Sequence, residues 1–304
     1  MRPADSLGET SADIRATMQP PALRIPFRHL LVIVLAQVLA LVAQAWLSRV
    51  LLAQGYEELQ AHYLAYLVVP PVLLVSIAPV LLEHREFLLG LFRPRRLTVP
   101  LALAAVALGV TMRIVWWAQL IARVSLGITG SDDPQAAVGP AFSWDCPPAP
   151  SLMRGLLVMA MLVPLTEETA HRGFLQSALV HRGPLPAILV SALIFTALHP
   201  PSSYWFVFFM GLVLGVQFWV TGSLWTTMIT HATYNGLIQF DWRCLQGHWN
   251  PPPDSLPLLL PGVSAVLALI VSCLLVVTLL RYQRAGARTA PARSAIPARS
   301  RHAR

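Results

Sequence analysis

Glu167, Glu168, His171 and Arg172 stand together in an otherwise apolar stretch, LVPLTEETAHRGFLQSALV, from Leu162 to Val180. Further along come Phe195 and His199 in FTALH, and His231 and Asn235 in HATYN. On a helix, residues four apart share a face. Glu168 can then pair with Arg172, and Glu167 with His171 on a face rotated by one residue. A single guanidinium cannot neutralise both acids, so one carboxylate stays available. A glutamate withdrawn from water can take a proton from a water molecule, and an adjacent imidazole can orient that water. A second imidazole and an amide N–H can stabilise a developing oxyanion. No serine or cysteine occupies an evident nucleophile position, which makes glutamate-activated water the simplest hydrolytic chemistry. Taken one at a time, the same groups have plainer readings: a buried ion pair that fixes packing, a helix-end histidine, and a polar pair that glues helices. A zinc site is the chemical alternative, with Glu167, His199 and His231 as two-histidine, one-carboxylate ligands. The H-E-x-x-H spacing is absent, and Asn235 would then have no role.

The elements that carry these groups are membrane helices. The chain has 304 residues, 56% hydrophobic and 12% charged, with mean hydropathy +0.61; a soluble domain carries about 25% charged residues. Apolar runs of about 20 residues, the length that crosses a bilayer, recur along it. The fold expected is an all-α polytopic membrane protein. Its eight spans fall at about 29–47, 62–82, 98–121, 152–180, 186–200, 203–221, 223–241 and 257–280. All 22 basic residues are arginine, which reads as the composition of a GC-rich bacterial genome. Arg85, Arg93, Arg95 and Arg96 share one loop, Arg182 lies in another turn, and seven arginines follow residue 280. The opposite loops hold Arg49, Arg123 and Arg243 against Glu57, Glu58, Asp132, Asp133, Asp145 and Asp254. By the positive-inside rule both ends are cytoplasmic, as in a bacterial inner membrane protein. The basic charge thus follows topology and argues against nucleic-acid binding. Ala43-Gln44-Ala45 resembles a signal-peptide cleavage site, but the polar segment before the first span is long for that.

Three regions follow: a polar cytoplasmic tail over 1–28, a transmembrane domain over 29–281, and an arginine-rich tail over 282–304 whose composition cannot build a core. Depth links the polar groups. Glu167 and His199 lie on either side of the turn near 181–184, each roughly 20 Å from it at 1.5 Å per residue. His231 is about 13 Å deep by the same measure, with Asn235 a turn further. One chamber can therefore receive a carboxylate, two imidazoles and an amide.

The order E-E-x-x-x-R, F-x-x-x-H, H-x-x-x-N, each on its own hydrophobic helix, resembles the CPBP family. These are intramembrane endopeptidases of the CAAX-prenyl-protease-2-like and bacteriocin-processing (Abi) type. The matching residues are Glu167, Glu168 and Arg172, then Phe195 and His199, then His231 and Asn235, and the resemblance covers about 150–241. It implies a hydrolase with Glu167 as base, His199 as its water-positioning partner, and His231 with Asn235 as the oxyanion site. It implies no metal cofactor and a membrane-associated protein or peptide substrate met in the lipid bilayer. His171 departs from the family pattern, which has an aromatic or apolar residue before Arg-Gly. A non-catalytic membrane binding or transport protein is the other class; such transporters show repeat halves or paired broken helices, and none is visible.

Other residues carry smaller expectations. Cys146 and Cys244 both fall in outside loops, where an oxidising compartment would let them pair; Cys273 is a small packing residue of the last span. Arg113 in the third span is expected to snorkel outward, the alternative being to receive a substrate carboxylate. Gly211 and Gly215 form a G-x-x-x-G pair expected to bring helices close within one chain.

Overall fold

A computed structural model describes residues 22–92, 97–125 and 149–239. The eighth span, most of the N-terminal tail, the C-terminal tail and all three cysteines lie outside the described residues, and with them the proposed disulfide.

The described residues form helices and connecting turns, with no strand among them. In chain order these are α1 (Phe27–Ala53), α2 (Glu58–Tyr66), α3 (Val69–Glu83), α4 (Arg85–Leu91) and α5 (Val99–Ser125). A continuous helical run over 149–182, termed α6, follows. Then come α7 (Pro184–Ala197), α8 (Tyr204–Thr221) and α9 (Leu224–Gln239). Four stretches among the described residues are long and apolar enough to cross a membrane: Phe27–Ala53, Gln60–Glu83, Val99–Trp116 and Tyr204–Thr221. α1 shows why its sequence has no polar face. Leu31, Leu35, Leu39, Val42 and Trp46 are exposed along one side, while Ile33, Ala36 and Ala40 are buried on the other. An apolar outer face is the expected surface against lipid tails.

Two of the expected spans have internal structure that hydropathy does not show. The second bends at Leu67–Val68, between α2 and α3. Pro70 and Pro71 follow at once and cannot donate backbone hydrogen bonds to the turn before them. α6 alternates between α-helical Ala149–Gly155, π-helical Leu156–Leu162, α-helical Val163–Glu168 and π-helical Thr169–Gln176. It ends in the short turns Ser177–Leu179 and Val180–Arg182, stopped by Gly183 at φ +94° and then Pro184.

Small residues set the closest approaches. A Cβ on Gly211 would lie 3.0 Å from Ala192 Cβ, and one on Gly215 would lie 2.9 Å from Ile188 Cγ2. The glycine pair thus seats α8 on α7 within the chain. A Cβ on Gly109 would lie 2.6 Å from the Thr230 carbonyl oxygen, so α5 and α9 touch backbone to backbone there. Thr230 Oγ1 donates to the Ala105 carbonyl at 2.9 Å across the same seam. One apolar core joins the two halves: Ile33, Leu73, Ile77 and Val80 of α1 and α3 meet Phe174, Phe218, Leu224 and Met228 of α6, α8 and α9. Arg113 differs from the outward snorkelling expected of it. It is buried, with its guanidinium 4.5 Å from the centroid of the Trp116 ring, because the neighbouring aromatic offers the cation a face inside the protein.

Candidate active site

The π-helical stretch Thr169–Gln176 carries Arg172 and Gln176 one turn apart, facing Gly211 and Gly215 one turn apart on α8. Arg172 Nη2 donates to the Gly211 carbonyl at 3.1 Å, and Gln176 Nε2 to the Gly215 carbonyl at 2.8 Å. Glycine allows this because no side chain screens the carbonyls. Two serines bond the same stretch from its other sides. Ser177 Oγ donates to the Arg172 carbonyl at 2.9 Å, and Ser191 Oγ of α7 to the His171 carbonyl at 3.1 Å.

The adjacent glutamates have different surroundings. Glu168 is fully buried; its Oε1 accepts from Arg172 Nη1 at 3.1 Å and from His231 Nδ1 at 2.9 Å. The carboxylate makes Nδ1 the donor and leaves Nε2 of His231 on the side of Glu167, 3.9 Å from its Oε2. Glu167 keeps 23% of its side chain exposed, and its Oε2 has no hydrogen-bond partner. The second pair expected on this helix, Glu167 with His171, does not form. His171 is buried with Nδ1 unbonded, and its ring packs edge-on against Phe195 at 5.0 Å.

Phe195 is the shared wall of the cluster. Its ring lies 4.7 Å from that of His199 and 6.2 Å from that of His231, with Arg172 above its face at 4.8 Å. His199 sits just past the end of α7, where Pro200 and Pro201 end the chain's helical course. His199 Nδ1 bonds the Phe195 carbonyl at 2.8 Å, so Nδ1 is the donor and Nε2 is left for water or substrate. Asn235 Nδ2 donates to the carbonyl of Met159 at 2.8 Å, tying α9 to the first π-helical stretch of α6.

A cavity of about 320 Å³ opens beside Glu167, His171 and His199. Its opposite wall includes Gln37 and Gln44 of α1 and His62 and Tyr66 of α2. His231 and Asn235 are not among its lining residues and stand behind the glutamates. The four residues of the opposite wall were missed in the sequence reading. Gln37 and Gln44 lie seven apart in an apolar span, and His62 and Tyr66 four apart, so each pair shares a helix face. That spacing was visible; the partner across the cavity was not.

Residues 149–237 match the family model described as type II CAAX prenyl endopeptidase Rce1-like. The match spans all three motifs, so this part of the chain is similar to that family. No curated protein and no solved structure matches the chain.

Proposed function

We propose that the protein is an intramembrane endopeptidase that hydrolyses a peptide bond of a membrane-associated protein with water activated by Glu167. The observation that carries this reading is the inequality of the two glutamates. Each keeps a buried Oε2 without a hydrogen bond, but Glu168 is fully buried with its Oε1 held by Arg172 and His231, whereas Glu167 is partly exposed and lines the cavity. Glu167 takes a proton from water held against His199 Nε2, and the oxygen attacks the scissile carbonyl carbon. His231, held through Nδ1 by Glu168, donates from Nε2 to the developing oxyanion when both ring nitrogens carry a proton, with Asn235 a turn away on the same face. The C–N bond then breaks as Glu167 returns the proton to the leaving nitrogen. Phe195 keeps the three imidazoles and the guanidinium at fixed separations. No step calls for a metal ion.

The substrate class fits a chain anchored in the bilayer, cut near its C-terminus: a prenylated protein or one bearing a C-terminal sorting segment. Both ends of the enzyme are cytoplasmic in this reading, supported by the distribution of arginines. The test replaces Glu167 with Gln in the native host and compares membrane-protein lengths by mass spectrometry. A defined set of proteins should keep its uncut termini in the variant. Identical lengths in both strains would sink the reading. Hydrolysis by the purified protein should also persist in chelator; its loss there and recovery with zinc would transfer the chemistry to a Glu167–His199–His231 metal site.

A further inference from the structure

A second group of histidines and a carboxylate lies away from the cavity, where the start of α1 meets the end of α3. His29 is in the first turn of α1, Glu83 ends α3, and His84 is the junction to α4. His29 Nε2 is 3.8 Å from Glu83 Oε2, and His84 Nε2 is 3.7 Å from Glu83 Oε1. One ligand atom from each of the three residues lies within 4.8 Å of the others. The imidazoles meet edge to face, with centroids 5.8 Å apart. Their side chains are 13% and 12% exposed, while Glu83 is 55% exposed, so the group is walled on the protein side and open on the other.

These atoms converge without bonding one another. Separations of 3.7 and 3.8 Å exceed a hydrogen bond, and His84 Nε2 is buried with no hydrogen-bond partner. Arg85, next to His84, sits 3.5 Å from Glu86, and Arg28, next to His29, is exposed. Tetrahedral zinc, with bonds of about 2.0–2.2 Å to nitrogen and oxygen, holds its ligand atoms roughly 3.3–3.5 Å apart. The two histidine separations from Glu83, to its two different oxygens, are a few tenths of an ångström wider, and all three ligand atoms lie within 4.8 Å, so side-chain rotation must draw them together. Two imidazole nitrogens and a carboxylate oxygen are a donor set suited to zinc, and the exposed side leaves room for water as a further ligand. The carbonyl end of α3 adds partial negative charge beside it.

We propose that His29, Glu83 and His84 bind a zinc ion at this end of the helices, the end that the arginines assign to the cytoplasm. The ion would clamp the start of α1 to the α3–α4 junction. It would also fix the ring of His84, which packs against Phe174 of α6 at 6.4 Å, two residues beyond Arg172. The site is separate from the hydrolytic residues and stands or falls independently of their role.

The experiment uses the full-length protein purified in detergent, stripped by chelator, then titrated with zinc chloride. Bound metal is measured by elemental analysis and stability by thermal melting. One zinc per chain should bind and raise the melting temperature. His29→Gln and His84→Gln should each weaken binding by more than about 100-fold, beyond the 10–100-fold that outer-shell changes cost. His199→Ala should bind zinc as the wild type does. Helix content and metal-free melting identify which variants fold; if His84→Gln does not, His29→Gln at the start of α1 gives the comparison. The proposal is overturned by the absence of saturable binding, by binding that survives in a folded His29→Gln variant, or by a bound zinc that disappears in His199→Ala.

Discussion

The helices α6–α9 and the helices α1–α4 bury their polar groups in different ways. Among the described residues, α6–α9 enclose Glu168, His171, Arg172, Gln176, Ser177, Ser191, Gln217 and His231, with a run of threonines on α9. Most bond across helices, as Gln217 of α8 does to Thr230 Oγ1 of α9 at 2.9 Å. α1–α4 bury one such residue, Gln37, which bonds within its own helix to the Ile33 carbonyl at 3.3 Å. Lipid tails supply no hydrophobic force between helices, so polar links and close packing must set register in a membrane. The two halves are thus held differently. Sliding α7, α8 or α9 against α6 breaks named hydrogen bonds, whereas moving α1–α3 exchanges apolar contact for apolar contact with lipid. The cavity lies on that seam, with Glu167, His171 and His199 on the bonded side and Gln37, Gln44, His62 and Tyr66 on the apolar side.

The largest effect expected separates the two glutamates themselves. Glu167→Gln should lower the cleavage rate by about 10²–10⁴-fold, the range for removal of a general base, with the melting temperature unchanged. Glu168→Gln should lower both, because it leaves Arg172 fully buried without its counter-charge. Peptide cleavage and thermal melting on the same preparations give the answer. A Glu167→Gln protein that melts below Glu168→Gln would reverse the assignment of structural and reactive carboxylates.

Removing the cation instead tests how far the bonded half depends on this pair. Arg172→Met strands Glu168 in a buried place and also removes the bond to Gly211. The expected loss is about 3–5 kcal/mol, the range for breaking one partner out of a buried ion pair, read from unfolding in detergent. A loss under about 1 kcal/mol, the size of an exposed pair, would mean that the pair does not organise α6–α9.

Much of this was legible from the chain. Spans of about twenty apolar residues announce themselves: seven of the eight expected spans fall on described helices, four of them long and apolar enough to cross a membrane. The four-residue spacing of Glu168 and Arg172 anticipated their contact, and G-x-x-x-G anticipated the α7–α8 seat. Other features could not be read. Glu167 does not meet His171, whose ring packs instead on Phe195 of α7, a tertiary contact that hydrophobic periodicity does not encode. Gln37, Gln44, His62 and Tyr66 stand across the cavity from residues more than a hundred positions later, and local spacing carries no such information. His29 and Glu83-His84 meet only because α1 and α3 pack antiparallel.

Packing gives a smaller, purely steric version of the same comparison. Gly109→Ala drives a Cβ to 2.6 Å from the Thr230 carbonyl on the α5–α9 seam, so backbone must move. Overpacking of this kind costs about 1–3 kcal/mol. Gly90→Ala in α4 meets nothing within 4 Å. There alanine should be neutral or stabilising, by up to about 1 kcal/mol from helix propensity. Equal melting of the two variants would show that the α5–α9 approach is looser than the geometry requires.

The smallest effect concerns the two glutamines, and it is the most direct probe of the difference between the halves. Gln176 donates across helices to Gly215, but its Oε1 is buried without a partner. Gln176→Leu loses one interhelical bond, worth about 0.6 kcal/mol on average in a membrane protein. It also removes an unsatisfied oxygen, so the net loss should stay below about 1 kcal/mol. Gln37→Leu gives up only a weak bond inside α1, and stability should change by less than about 0.5 kcal/mol. The second readout separates them. Gln37 faces the cavity, so its replacement should shift the apparent KM for a peptide substrate while kcat and melting hold. Gln176 is sealed between α6 and α8, so its replacement should leave KM unchanged. If Gln37→Leu lowers melting more than Gln176→Leu, α1 is held by its polar group after all, and the apolar side of the cavity is as fixed as the other.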